Sequence, residues 1–171
     1  MRQRNQKGLK NLLRSDIMRK IGFNCSTLDL FHAGHVTMLK IEKQHCDHLI
    51  VALQSDPTID RPETKNKPVQ SLYERFVQIS ACRYVDEVLV YETEEDLENI
   101  FKTQTIHIRF LGDEYKSKPF TAKQYCLDNG IELFFHDRQH PYSSSKLRQR
   151  VYEAEDKRLK KLNVEYDECQ K

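Results

Sequence analysis

No apolar run in this chain approaches the length needed to cross a bilayer, and its N-terminus lacks the apolar core of a secretory signal. These two absences make a soluble, cytoplasmic chain without membrane insertion the expectation. Cysteine never occurs in C-x-x-C spacing, and its count of five (Cys25, Cys46, Cys82, Cys126 and Cys169) is odd. That argues against a metal knuckle and for free thiols in a reducing compartment. There is no internal repeat and no low-complexity segment. The net charge of +2 says little, but residues 1–20 hold seven basic side chains against one acidic, Asp16. This basic stretch lacks interleaved aromatics, so a nucleic-acid partner is not expected. Residues 1–17 read as an optional extension, 18–150 as a single domain and 151–171 as a charged helical tail. His45, Cys46 and His48 have no distant partner pair and read as structural, as do His107, His136 and His140.

What the chain does have is alternation of strand-like and helix-like segments. Residues 21–26, 48–53, 87–91, 106–111 and 131–135 read as strands, and His48–Leu53 has the nearly unbroken apolar run of a buried parallel strand. Between them lie helical patterns near 36–45, 71–82, 94–104 and 121–128. Ser71 with Glu74 forms a capping box, and Asn129-Gly130 a C-cap. A last charged helix runs from Ser143 to about Leu162. Residues 55–70 hold Pro57, Pro62 and Pro68 and read as a loop. Strands joined through helices predict an α/β fold, a doubly wound parallel five-stranded sheet in one domain. Such sheets bind ligands beyond the carboxyl ends of their strands, where the strand order reverses.

The polar candidates follow strand ends in that arrangement. His32 and His35, separated by Ala33 and Gly34, sit where strand one gives way to a helix, whose N-terminus favours phosphate. Gly34 lets the backbone approach a ligand without a Cβ in the way. Lys65 and Lys67 follow strand two, and a loop closing over phosphates or a merely solvated basic loop both account for them. Gly112 and Asp113 follow strand four, and Asp113 reads as a Mg²⁺ ligand or a turn former. Arg138 and the run Ser143-Ser144-Ser145 follow strand five. A plain N-cap explains one serine of that run but not three.

Four segments, in order, resemble the cytidylyltransferase family of the wider HxGH nucleotidyltransferases. They are Thr27-Leu28-Asp29-Leu30 with His32-Ala33-Gly34-His35, Arg83-Tyr84-Val85-Asp86-Glu87-Val88, Leu111-Gly112-Asp113-Glu114-Tyr115, and Arg138 with Tyr142 to Leu147. The nearest likeness is to members that use glycerol 3-phosphate. Ser26, Leu28, Ala33 and Tyr115 depart from the family's usual residues, and Ala33 replaces an aromatic that bears on the acceptor pocket. The resemblance implies a Rossmann-like enzyme that transfers CMP from CTP to a small alcohol phosphate with Mg²⁺, working as a homodimer. Ethanolamine phosphate with CTP, a sugar or flavin phosphate with ATP, or a nucleotide-binding regulatory module are the alternatives.

It further implies His32, His35, Lys65, Lys67 and Arg138 in catalysis. Ser26, Thr27, Leu28, Asp29, His35, Arg83, Gly112, Asp113, Arg138 and Ser143 to Ser145 would hold the nucleotide. Arg75 would contact the acceptor, and Asp29 and Asp113 the metal. Arg83 and Asp86 fit either the site or a subunit interface.

Overall fold

The computed structural model describes residues 19–137 and 141–169, of which 163–169 are described by backbone alone. The extension 1–17, Arg138, His140 and the Cys169 side chain lie outside the described residues. In chain order the elements are β1 (Ile21–Ser26), α1 (Ala33–Gln44), β2 (His48–Gln54), α2 (Leu72–Ser80), β3 (Glu87–Tyr91), α3 (Glu94–Thr103), β4 (Ile108–Gly112), α4 (Lys123–Asp128), β5 (Glu132–His136) and α5 (Ser144–Cys169). A turn of 3-10 helix, Asp113–Lys116, follows β4.

All five strands are parallel, in the order β3-β2-β1-β4-β5. The chain runs outward from β1 to β3, then crosses back to β4, so the order reverses between β1 and β4. The sheet buries apolar side chains on both faces, which is why β2 is almost wholly apolar. On one face Phe23, Ala52 and Ile106 pack with Leu97 and Phe101 of α3 and Cys126 of α4. On the other, Leu49, Val51 and Phe110 pack with Leu39 of α1 and Ile79 of α2. Gly22 permits this closeness in β1, because a Cβ there would lie 2.6 Å from the Phe110 ring and 2.7 Å from the Cys46 sulfur.

Local chemistry sets the element ends. Ser71 with Glu74 and Thr93 with Asp96 form complete capping boxes on α2 and α3. Gly130, at φ 67°, supplies the left-handed residue after α4. Asp86 clamps the amino end of the sheet, its carboxylate accepting from the Leu49 N–H at 2.7 Å and from Lys43 Nζ at 2.6 Å. Asp86 immediately precedes β3. Cys25, Cys46, Cys82 and Cys126 are free thiols. No helix among the described residues is long and apolar enough to cross a membrane.

Candidate active site

The turn leaving β1 is built around Asp29. Its flanks Leu28 (φ 48°) and Leu30 (φ 51°) both lie in the left-handed region that leucine rarely visits. Buried side-chain contacts hold that strain: Leu28 is sealed in the core, and the Asp29 carboxylate accepts from the Val69 N–H at 3.1 Å and the Gln70 N–H at 2.9 Å. Arg148 of α5 adds an ion pair at 2.5 Å. Burial pushes the Asp29 carboxyl up, but the Gln70 and Val69 N–H groups and the Arg148 guanidinium outweigh it and hold the group below its ordinary value. Both oxygens are thus engaged by the protein. Asp29, expected to hold the metal, here joins the turn, the loop and α5.

This turn presents the two histidines. α1 starts at Ala33, three residues earlier than its apolar pattern predicts, because His32 itself caps it, Nδ1 accepting from the Gly34 N–H at 3.0 Å. An accepting Nδ1 leaves the proton of the neutral ring on Nε2. Nε2 stands 3.4 Å from Ser144 Oγ, which in turn donates to the Asp29 carbonyl at 3.0 Å. His35 stacks on His32 with ring centroids 3.8 Å apart and planes 18° apart, and Phe31 also stacks on His35, centroids 5.7 Å apart. Both imidazoles therefore sit as one fixed unit at the N-terminus of α1.

The three serines separate into distinct positions. Ser144 touches His32, Ser143 Oγ accepts from the Lys146 N–H at 3.2 Å as a cap of α5, and Ser145 is exposed. The loop after β2 also divides. Arg61 bonds Gln54 at 3.0 Å and pairs with Glu94 at 2.8 Å, tying the loop across to α3. Lys65 lines the cavity described below, whereas Lys67 is exposed and does not.

Arg75 corrects the sequence reading most clearly. It is 1 % exposed, and its guanidinium donates to the carbonyls of Gln70 (3.3 Å), Thr27 (2.9 Å), Gln54 (2.7 Å) and Ser55 (2.6 Å). It fastens the carboxyl ends of β1 and β2 and has no free fork for an acceptor. Arg83 stands apart from the other nucleotide candidates of its own chain. It precedes β3 and so lies at the amino end of the sheet, opposite the nucleotide candidates.

A cavity of about 1030 Å³ opens at the switch point between β1 and β4. Ser26, Thr27, His32, His35, Lys65, Gly112 and Asp113 line it, so the structure brings these expected residues together. Its wall includes residues that sequence reasoning missed. Arg109 of β4 hid inside an apolar strand pattern, though a lone arginine there was itself a signal. His136 at the end of β5 bonds the fully buried Glu42 of α1 at 2.7 Å. Burial pushes the Glu42 carboxyl up against the opposing bonds from His136 and Asn24. Arg148 was missed too, because only the fold sets α5 against Asp29.

No group of three or more His, Cys, Asp or Glu side chains among the described residues is spaced to hold a metal ion. Asp113 is a half-exposed carboxylate on the cavity rim and pairs with Lys116. A preformed protein cage for Mg²⁺ is therefore absent among those residues, and Asp113 is the one expected ligand left at the cavity.

The chain is similar to known proteins. An ethanolamine-phosphate cytidylyltransferase from Arabidopsis thaliana is 42 % identical over 62 residues, 36 % of this chain and 15 % of that protein. A probable ethanolamine-phosphate cytidylyltransferase from Encephalitozoon cuniculi is 45 % identical over 71 residues, 42 % of this chain and 22 % of its own length. The bifunctional protein HldE of Campylobacter jejuni is 30 % identical over 149 residues, 86 % of this chain and 31 % of that one. The chain thus spans under a third of these relatives. The lipopolysaccharide core biosynthesis protein of Thermoplasma volcanium shares the fold at a TM-score of 0.58 and 22 % identity, over 71 % of this chain and 99 % of its own. Residues 24–150, most of the sheet and the whole candidate site, match the Cytidylyltransferase-like family, and the chain belongs to it.

Proposed function

We propose that this protein transfers the cytidylyl group of CTP to a small phosphorylated alcohol and releases pyrophosphate. An oxygen of the acceptor phosphate attacks the α-phosphorus, and the bond to the bridging oxygen of the β-phosphate breaks. The observation that supports this reading best is the stacked His32–His35 pair at the N-terminus of α1, opening on a cavity large enough for two substrates. Nε2–H of His32 is a fixed donor for charge growing on the α-phosphoryl oxygens. His35, stacked on His32 and on Phe31, adds a second. Ser144, 3.4 Å from His32 Nε2, would bring the start of α5 to the same phosphates, and Lys65 on the cavity wall would bring a cation from the loop. Mg²⁺ would enter with the triphosphate, which supplies oxygen ligands, and Asp113 is the carboxylate offered to it. When bound, the ion neutralises phosphate charge.

The sequence resemblance favours glycerol 3-phosphate as acceptor. The names of the Arabidopsis and Encephalitozoon relatives favour ethanolamine phosphate as a second reading. Pyrophosphate release across a matrix of CTP and ATP against phosphorylated alcohols tests both. We expect turnover with CTP and at least one small acceptor. Equal use of ATP, or no turnover with any pair, overturns the reading.

A further inference from the structure

The cavity extends to both faces of the sheet. Met38 and Ile41 of α1 line it on one side, and Leu97 of α3 with Phe120 and Thr121 of the loop before α4 line it on the other. In the wall of this second lobe sits Arg109, 2 % exposed. Buried arginine is normally matched by a carboxylate, because an unpaired buried charge is expensive to desolvate. Here, among the described residues, no ion pair to Arg109 forms. Its guanidinium donates to the Thr121 carbonyl at 2.5 Å, rests over the Phe101 and Phe120 rings at 4.6 and 4.8 Å, and touches the sulfurs of Cys126 and Cys25 at 3.9 Å. Its Nε–H is buried without a hydrogen-bond partner.

None of these contacts neutralises the charge. Burial pushes both thiols upward from their ordinary values, so neither sulfur is an anion near neutrality. Glu94, the acid on the same wall, is already paired with Arg61 at 2.8 Å and bonded by Thr121 Oγ1. Two aromatic faces hold the guanidinium in the cavity wall with only a backbone carbonyl and two neutral sulfurs as acceptors, the arrangement expected where the missing counter-charge comes from outside. The cysteine sulfurs are soft, weak acceptors that a stronger oxygen acceptor readily replaces.

We infer that Arg109 is a specificity-determining residue of the acceptor lobe, and that the acceptor is a phosphorylated alcohol carrying a second anionic group, a carboxylate, away from its attacking phosphate. The inference rests on the proposed cytidylyl transfer. It disfavours an acceptor whose remote end is an ammonium alone, since that end would bring a second cation to a cation. A carboxylate in the lobe forms charge-assisted bonds to Arg109, whereas CTP, engaged at the histidines and α5, is untouched by it.

Two matched acceptor pairs isolate the carboxylate: 3-phosphoglycerate against glycerol 3-phosphate, and O-phosphoserine against ethanolamine phosphate. In steady-state pyrophosphate release with CTP, the carboxylate-bearing member of at least one pair is expected to have about tenfold or more higher kcat/KM, mainly through KM. Arg109→Met is expected to abolish that ratio while leaving the KM for CTP unchanged, and Arg109→Lys to retain part of it. A preference for the carboxylate-free member in both pairs overturns the inference, as does a ratio that survives in Arg109→Met. If Arg109→Met fails to fold, the Lys variant and the wild-type ratios still decide. Should no acceptor turn over, isothermal titration of phosphoserine and ethanolamine phosphate into the wild-type protein separates the outcomes. Tighter phosphoserine binding upholds Arg109 and condemns only the cytidylyl transfer; equal binding condemns the inference.

Discussion

His32 uses its two ring nitrogens differently, Nδ1 accepting from Gly34 to start α1 and Nε2 presenting a proton toward Ser144 and the site. His32→Ala therefore removes a cap and a donor together. His35 lies within α1 and is not its N-cap, so its loss reports the chemistry more cleanly. We predict that His35→Ala lowers kcat by about 10² or more while CTP affinity stays within about tenfold. His32→Ala is predicted to match that loss and also to lower stability by about 1 kcal/mol, the usual value of a cap. His32→Asn can keep the cap but not the reach of Nε2, and is predicted to recover stability without recovering rate. Single-turnover pyrophosphate release beside thermal melts measures both effects. Near-normal turnover in His35→Ala would remove the pair from the mechanism.

At the scale of elements, three segments meet on one carboxylate: the β1–α1 turn, the loop before α2, and α5 through Arg148. Because Asp29 is held below its ordinary value, the unfolded chain takes up its proton first as pH falls. Its contribution to stability is thus full above the unfolded carboxyl value and disappears as pH drops through the folded one. Asp29→Asn is predicted to be less stable than wild type at pH 7, with the difference shrinking when both are compared near pH 3. Urea melts at the two pH values measure it, and a gap that stays constant would show the carboxylate's charge to be irrelevant. The sequence disclosed most of the elements this anchor joins, because apolar runs such as Leu49 to Leu53 and capping pairs such as Ser71 with Glu74 are local signals. β4 was placed two residues early and α1 three residues late, since tertiary pairing set the first boundary and the His32 cap the second. The motifs led to His32, His35 and Gly112, which line the cavity, and to Ser144 beside His32. What long-range folding decides was not legible: nothing local separates Arg75, turned inward on four carbonyls, from a ligand-binding cation, or reveals that Arg109 has no counter-charge.

Considered whole, the molecule buries two faces of its sheet but leaves apolar groups on the outer side of α2. Tyr73 is 76 % exposed, and Phe76 and Val77 follow it at the three- and four-residue spacing that places them on one helical stripe. Val69, just ahead of α2, is exposed as well. We propose that this stripe is the contact of the homodimer the resemblance implies. One patch meeting its own copy across a two-fold axis suffices to cover it. Arg83 lies three residues beyond the end of α2 and does not line its own chain's cavity. α5 offers a rival apolar stripe with Val151, Tyr152, Leu159 and Leu162, which makes the choice testable. Sedimentation equilibrium is predicted to give a dimer for wild type and for Tyr152→Glu, and a monomer for Tyr73→Glu combined with Phe76→Glu. The double variant is predicted to keep its fold by circular dichroism, because both side chains face away from the core. A wild-type monomer at micromolar concentration, or dissociation by Tyr152→Glu alone, would move the interface off α2.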